Sequence, residues 1–350
     1  MQRGLKTVEA AVGPLVLNAL VSGRDMVLGT HKVNADALGR RVGPAGEAEV
    51  HSRRAFVAIR VTLMRELSNI YCCSDAVVGR SFVTLPDWVS GDVDISRPSA
   101  ARVYDYYLGG SHNFPADREM ARQAIALWPE LPRIMQANRA FMRRAVRYLI
   151  GQGVSQFLDI GSGIPTVGNV HEVAQAADPE ARVVYVDVDP VAVAHSRAIL
   201  AGDDRTDVVH ADLRDVQGVL EDPRTVRLLD LSRPVGVLMV ALLHFVPPAA
   251  DPAGVLARYR RAMTPGSYLA VSHATHEGQP DQAGPHVALY RRTGTPMTMR
   301  SRAEVAALLD GFDLVPPGVV FLPRWRPEPG SVDADQPERI AGFAAVGRRR

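Results

Sequence analysis

The run Phe157-Leu-Asp-Ile-Gly-Ser-Gly-Ile-Pro165 carries a short apolar segment straight into a Gly-x-Gly turn. A strand has to end there, and the backbone after it has to bend into conformations that glycine adopts freely. Two further runs repeat the theme. Val183-Val-Tyr-Val186 ends in Asp187, and Val208-Val-His-Ala leads to Asp212. Three strand-like runs, each closing on a turn or an acid, describe one edge of a nucleotide-binding α/β sheet. Ligands of such sheets lie outside the carboxyl ends of the strands, where the strand order reverses. Glycines there admit a close ligand, and an acid at the second strand end accepts hydrogen bonds from ribose hydroxyls.

Spacing separates two ligand classes. A pyrophosphate seat needs G-x-G-x-x-G against a helix N-terminus. Here Gly161 and Gly163 are followed only by Gly168, and Pro165 interrupts the pattern. A nucleoside ligand without phosphates fits better, with Asp187 for the ribose and Asp212 near the base. The constellation resembles the class I methyltransferases, whose first motif is an acid-x-Gly-x-Gly turn, here Asp159-Ile-Gly161-Ser-Gly163; the third glycine common in that motif is absent. Further blocks narrow the resemblance. They are Ser96-Arg-Pro-Ser-Ala-Ala-Arg-Val-Tyr-Asp-Tyr-Tyr-Leu-Gly-Gly110, His112-Asn-Phe114, Ala116-Asp-Arg118, Ala137-Asn-Arg-Ala-Phe-Met-Arg-Arg-Ala-Val146 and Gly168-Asn-Val-His-Glu-Val173. In this order they resemble an actinobacterial S-adenosylmethionine-dependent methyltransferase family of largely unassigned substrate. The match covers roughly residues 85–350. It implies S-adenosyl-L-methionine as cofactor and places Asp212, with Leu213, near the adenine amino group.

Strand and helix patterns alternate after residue 151, the signature of parallel βαβ units. Strands are expected near 155–160, 182–187, 206–210, 235–241 and 267–273, and helices near 166–177, 190–200, 214–229 and 252–263. Thr275 to Thr295 is rich in Gly, Pro and His and carries no clear pattern. A helix follows near 301–310, opened by a Ser301/Glu304 capping box. Two last strands fall near 312–322 and 339–347. The resemblance makes these an antiparallel C-terminal hairpin on a mostly parallel seven-stranded sheet flanked by helices. Three helical patterns precede the sheet, over Pro98 to Leu108, Asp117 to Leu127 and Leu131 to Ile150. They read as a helical cover over 85–150 on a sheet core at 151–350. Residues 1–84 lack sustained periodicity and read as a poorly ordered extension, or as a start assigned too early.

Candidate residues cluster on the strand ends. Cofactor contacts are expected from Asp159, Gly161, Ser162, Gly163, Asp187 and Val188. Asp189, before Pro190, is placed to cap the next helix as well. His244 follows the fourth strand, at the switch point, and reads either as a general base or as a packed ring. His273 ends the fifth strand. Tyr104, Tyr107, His112, Asn113 and Phe114 form a polar-aromatic cluster that reads as a lid over an acceptor, with Gly109-Gly110 as its hinge. Asn138, Arg139 and Arg143 lie on the helix that leads into the first strand, and one arginine is a candidate partner for the cofactor carboxylate. His276, Glu277, Asp281 and His286 fit no tight ligand spacing, so no metal is expected.

Composition excludes little else. A net charge of +2 argues against general nucleic-acid binding. No apolar run reaches the about 18 residues of a membrane span. The two cysteines, adjacent Cys72 and Cys73, suit a reducing, cytoplasmic setting. The reading is methyl transfer to a small-molecule acceptor. An NAD-dependent oxidoreductase and a non-catalytic S-adenosylmethionine-binding regulatory protein remain open alternatives. If residues 1–84 are an extension, a chain starting at Leu85 melts cooperatively and binds cofactor like the full chain. Loss of the melting transition on truncation would show that they are structural.

Overall fold

The computed structural model describes residues 26–28, 31–33, 94–165, 168–291, 293, 295–328 and 335–350. The chain divides into two units, Met1–Phe82 and Val83–Arg350. In the first, the described residues form an antiparallel hairpin of Met26–Leu28 with His31–Val33. The rest of the extension expected over 1–84 lies outside the described residues.

The second unit is built on one eight-stranded sheet. Its strands are β1 (Gln156–Ile160), β2 (Arg182–Asp187), β3 (Thr206–His210), β4 (Gly236–Val240), β5 (Tyr268–Ala274), β6 (Asp313–Leu314), β7 (Val320–Phe321) and β8 (Gly342–Arg348). The spatial order is β3-β2-β1-β4-β5-β8-β6, and β7 also pairs with β8. The first five strands are parallel, and β8 is antiparallel to its neighbours. The order reverses between β1 and β4. Strands buried on both faces read as near-continuous apolar runs, as Val183-Val-Tyr-Val186 does. Phe157, Val183, Tyr185 and Leu238 face one core with helices α3 (Leu131–Gly151) and α4 (Val170–Ala177). Leu158, Ile160, Val184 and Val237 face the other with α8 (Pro252–Ala262) and α10 (Arg302–Leu308).

The remaining helices are α1 (Ala100–Tyr107), α2 (Pro115–Leu127), α5 (Pro190–Ile199), α6 (Val216–Glu221), α7 (Pro223–Leu228) and α9 (Pro280–Tyr290). Local chemistry sets several ends. Asp189 accepts from Val191 N at 2.8 Å, with Pro190 as the first helical residue of α5. At α10, Glu304 N donates to Ser301 Oγ (3.3 Å) and Ser301 N to Glu304 Oε2 (2.7 Å), the expected capping box.

Three expectations are corrected. The sheet has eight strands, not seven. The strand expected over 312–322 is two short ones, because Pro316 and Pro317 lack the N–H a ladder needs and Gly318 turns at φ +82. The helix expected over 214–229 is split into α6 and α7 at Pro223, where Asp222 caps the new start through Arg224 N. Helix α9 lies in the Gly- and Pro-rich stretch that showed no pattern. It buries Ala283, His286, Leu289 and Tyr290, a helical stripe masked in sequence by Gly284 and Pro285. Among the described residues no helix is long and apolar enough to cross a membrane.

Trp325 anchors the antiparallel edge to α3. It is fully buried, edge-on to Phe141 (5.3 Å between ring centroids) and Tyr148 (5.7 Å). Arg144, in α3, donates to its carbonyl at 2.9 Å. Trp325→Ala leaves a cavity and costs about 3–5 kcal/mol. Urea unfolding followed by circular dichroism reads this as a lower midpoint at unchanged slope; an unchanged midpoint would show that the edge is not anchored through this ring.

Candidate functional site

The turn after β1 wraps the end of β2. Gly161 N donates to Val186 O (2.8 Å) and Gly163 N to the Asp187 carboxylate (2.7 Å). Gly161 (φ +71) and Gly163 (φ +66) take left-handed conformations that a side chain would oppose. A Cβ on Gly161 would also meet Leu242 at 2.5 Å, whereas one on Gly163 would meet nothing within 4 Å. At the first glycine a side chain would have to displace that of Leu242. The second leaves space open beside a carboxylate.

That space belongs to a cleft of about 370 Å³, open to solvent and lying across the point where the strand order reverses. Asp159, Gly161, Ser162, Gly163, Asp187, Val188, Asp189, Asp212 and Leu213 all line it. Asp187 also accepts from Asp189 N at 2.8 Å. Burial still pushes its carboxyl up to about 6. Burial pushes Asp159 further, to about 7, against the pull of Arg139 and with Asp187 adding repulsion. Arg139 reaches from α3 to Gly168 O and Asn169 Oδ1, each at 3.2 Å. At the start of α4, Glu172 accepts from Gly168 N (2.7 Å) and Asn169 N (3.3 Å). Asp189 is occupied twice, by its helix cap and by the Ser99 hydroxyl of the cover. Asp212 is clasped by Arg214, whose hydrogen bonds hold its carboxyl below the usual range. Val188 is 59% exposed at the cleft wall, an unusual state for a valine next to a buried acid.

A second pocket, about 60 Å³, adjoins the cleft and shares Ala100, Tyr104, Asn138, Ala241 and Phe245 with it. A buried chain of hydrogen bonds runs along the junction. Ala241 N donates to Ser272 Oγ (2.8 Å), which donates to Asn138 Oδ1 (2.5 Å); Asn138 Nδ2 donates to Tyr104 Oη (2.8 Å), which donates to Met135 O (3.4 Å). The chain ties β4 and β5 to α3 and α1. His244 and His273 line this second pocket and not the cleft. His244 Nδ1 accepts from Ala274 N at 3.4 Å, and burial holds the ring neutral, far below its ordinary pKa. Both nitrogens of His273 are occupied: Nδ1 donates to Ala274 O (2.8 Å), and Nε2 accepts from Arg300 (2.8 Å).

The expected lid is divided. Tyr104 and Tyr107 reach the pockets; His112, Asn113 and Phe114 do not. Asp105 accepts from His112 N (2.9 Å) and Asn113 Nδ2 (2.8 Å), and Asp117 from Phe114 N (2.8 Å) and Ser99 N (2.9 Å). Two buried acids thus pin the loop after Gly109-Gly110. Phe114 packs with Ile164 and Val191 in a small core of its own. Sequence reasoning missed Ser272, Tyr290, Trp128 and Arg300. Arg300 is buried and donates to Leu243 O (3.0 Å) and Val246 O (3.1 Å), clamping the loop that carries His244. A polar Ser inside the apolar run of β5 was the one visible signal. Among the described residues no group of three or more His, Cys, Asp and Glu could hold a metal.

Comparison with known proteins agrees with this geometry. A family described as S-adenosyl methyltransferase matches residues 86–350. Among solved structures, a duf574 family protein from Streptomyces avermitilis is 41% identical with a TM-score of 0.71, the match covering 73% of this chain and 99% of that one. A candidate methyltransferase from Thermobifida fusca is 42% identical with a TM-score of 0.71, covering 76% of this chain and 100% of that one. No curated protein matches the chain.

Burial of Asp159 has a cost that depends on pH. Its folded pKa, about 7, lies above that of an ordinary carboxyl, so the folded state holds the proton more tightly. Stability is full below about pH 4 and falls as pH rises towards 7, each tenfold difference in proton affinity between folded and unfolded chains being worth about 1.4 kcal/mol. Asp159→Asn removes this part of the slope. The ligand-free variant melts higher than the parent at pH 8 and level with it at pH 4; equal melting temperatures at both would show that Asp159 carries no such cost.

Proposed function

The chain belongs to the S-adenosyl methyltransferase family, and from that premise we propose that the cleft seats S-adenosylmethionine while the adjoining pocket presents a small-molecule acceptor to it. The observation that carries this reading is the buried carboxylate of Asp187 beside the open face of Gly163. Each Asp187 oxygen has accepted one amide and keeps capacity for more. Ribose hydroxyls are donors that would complete it. Asp212, Leu213 and the exposed Val188 flank the place for the base. Ser162 Oγ is buried without a hydrogen-bond partner and faces the same turn. Asp159 and Arg139 offer an acid and a cation to the amino and carboxylate ends of the methionine moiety. Two raised carboxyls in one cleft suit a ligand with net positive charge, since its arrival favours their ionised forms.

S-adenosylmethionine supplies a methyl carbon whose bond to sulfur breaks, the electron pair staying on sulfur, as the acceptor's lone pair bonds to that carbon. The protein's task is alignment. The Ser272–Asn138–Tyr104 chain fixes the junction across which the two ligands meet. His244 acts there as a neutral ring that orients the acceptor, because burial keeps it from charging. The acceptor proton leaves to water through the open cleft.

Dinucleotide binding is disfavoured by a specific contact. Glu172 takes the Gly168 and Asn169 amides at the start of α4, the kind of helix N-terminal donors a pyrophosphate seat uses. A purely regulatory role gives no reason for a second buried pocket at the cofactor's edge.

Calorimetry tests the reading. S-adenosylhomocysteine binds and NAD does not. Asp187→Ala, shown folded by circular dichroism, loses a charge-assisted acceptor worth about 1.5–3 kcal/mol, roughly 10- to 150-fold in affinity. Binding of NAD without S-adenosylhomocysteine would overturn the function; undiminished affinity in the variant would overturn the role of Asp187.

A further inference from the structure

The two adjoining cavities differ in one respect that bears on the acceptor. The cleft is lined by the acids Asp159, Asp187, Asp189 and Asp212 together with Arg139 and Arg214. No Asp, Glu, Lys or Arg lines the second pocket. Its histidines add no charge at neutral pH: burial holds His244 far below its ordinary pKa and takes His273 and His286 down to about 4. Most of its polar side chains are also engaged. Ser272, Asn138 and Tyr104 are linked to one another, and His273 has a partner on each nitrogen. The Tyr107 and Tyr290 hydroxyls remain loosely joined at 3.4 Å, and neither residue lines the cleft.

An ion moved into such a pocket would lose its hydration and find no counter-charge. The walls instead offer ring faces and polarisable sulfur. Phe245 and Tyr290 lie 5.8 Å apart between centroids, His286 lies 4.9 Å from Tyr290, and Met135, Met297 and Met299 fill between them. Rings and thioethers pack favourably against an aromatic guest. The pocket's own free volume is about 60 Å³, and it opens at Ala100, Tyr104, Asn138, Ala241 and Phe245 into the cleft's about 370 Å³, so a ring guest spans that junction.

Resting on the methyl-transfer reading above, we propose that the acceptor is an uncharged aromatic ring compound carrying a hydroxyl or amino group, lodged among Phe245, His286 and Tyr290. The Tyr107–Tyr290 hydroxyl pair gives such a ring one polar contact at its distal edge. The nucleophile lies at the other end, towards Tyr104 and the cleft. Selection against charged acceptors comes from the absence of any partner for them.

The test uses the full chain saturated with S-adenosylhomocysteine and three probes: 2-naphthol, the 2-naphthoate anion and saturated decahydro-2-naphthol. Calorimetry is expected to show 2-naphthol binding at least about tenfold more tightly than either of the others. Tyr290→Ala, which alters this pocket and not the cleft, weakens 2-naphthol about fivefold or more and leaves S-adenosylhomocysteine affinity unchanged. If S-adenosylhomocysteine binds but 2-naphthol does not, or naphthoate or the saturated ring binds as tightly, the proposal is overturned while the methyl-transfer reading stands. Full 2-naphthol affinity in Tyr290→Ala would also overturn it, by placing the ring elsewhere. If S-adenosylhomocysteine itself fails to bind, the methyl-transfer reading falls, and the proposal with it.

Discussion

The hydrogen bond from Gly163 N to the Asp187 carboxylate, 2.7 Å long, is the contact on which the site depends. It joins the turn after β1 to the end of β2 and so fixes the floor of the cleft. Gly161 makes its own bond to Val186 O from a left-handed conformation (φ +71) that a side chain would oppose. The acid that anchors the turn is also the acid left facing the ligand. One residue thereby couples the shape of the site to its charge. The same burial that orders Asp187 raises its pKa, and Asp159 beside it is raised further. In the ligand-free protein these two acids oppose folding near neutral pH; a cationic ligand converts that opposition into binding energy.

A second polar line crosses the molecule where the two cavities meet. Ser272 in β5 and Asn138 in α3 are buried polar residues, and each satisfies the other. Extended through Tyr104, the chain places α1 at a set height above the sheet. The helices before the sheet are therefore part of the site's wall. Tyr104 serves both cavities, so its hydroxyl is fixed by the same bonds that separate a charged compartment from an uncharged one.

Much of this was legible in the residues. Glycines and acids at strand ends act over a few positions, and all nine proposed cofactor contacts fall in one cleft. The Asp189-Pro190 and Ser301/Glu304 helix starts are likewise local, and both appear. Long-range pairings were not legible. Asp105 and Asp117 look like surface acids on helices, yet each is buried to receive amides from the loop beside it. That reception turns three of the five residues read as a lid into anchored structure. Arg300 is separated by more than fifty residues from Leu243, whose carbonyl it holds. No periodicity marks such a residue. Helix α9 was hidden for a different reason: Gly284 and Pro285 lower helix propensity, and burial of Leu289 and Tyr290 overrides them.

The capping of α4 by Glu172 reaches beyond helix stability. Phosphorylated nucleotides share their adenosine half with the ligand this cleft fits, and they compete for any adenosine site that tolerates phosphate. A carboxylate fixed on the amides at this helix start takes donors that a phosphate group would otherwise use. The helix after the glycine turn thus lacks the open amides on which dinucleotide folds seat a pyrophosphate.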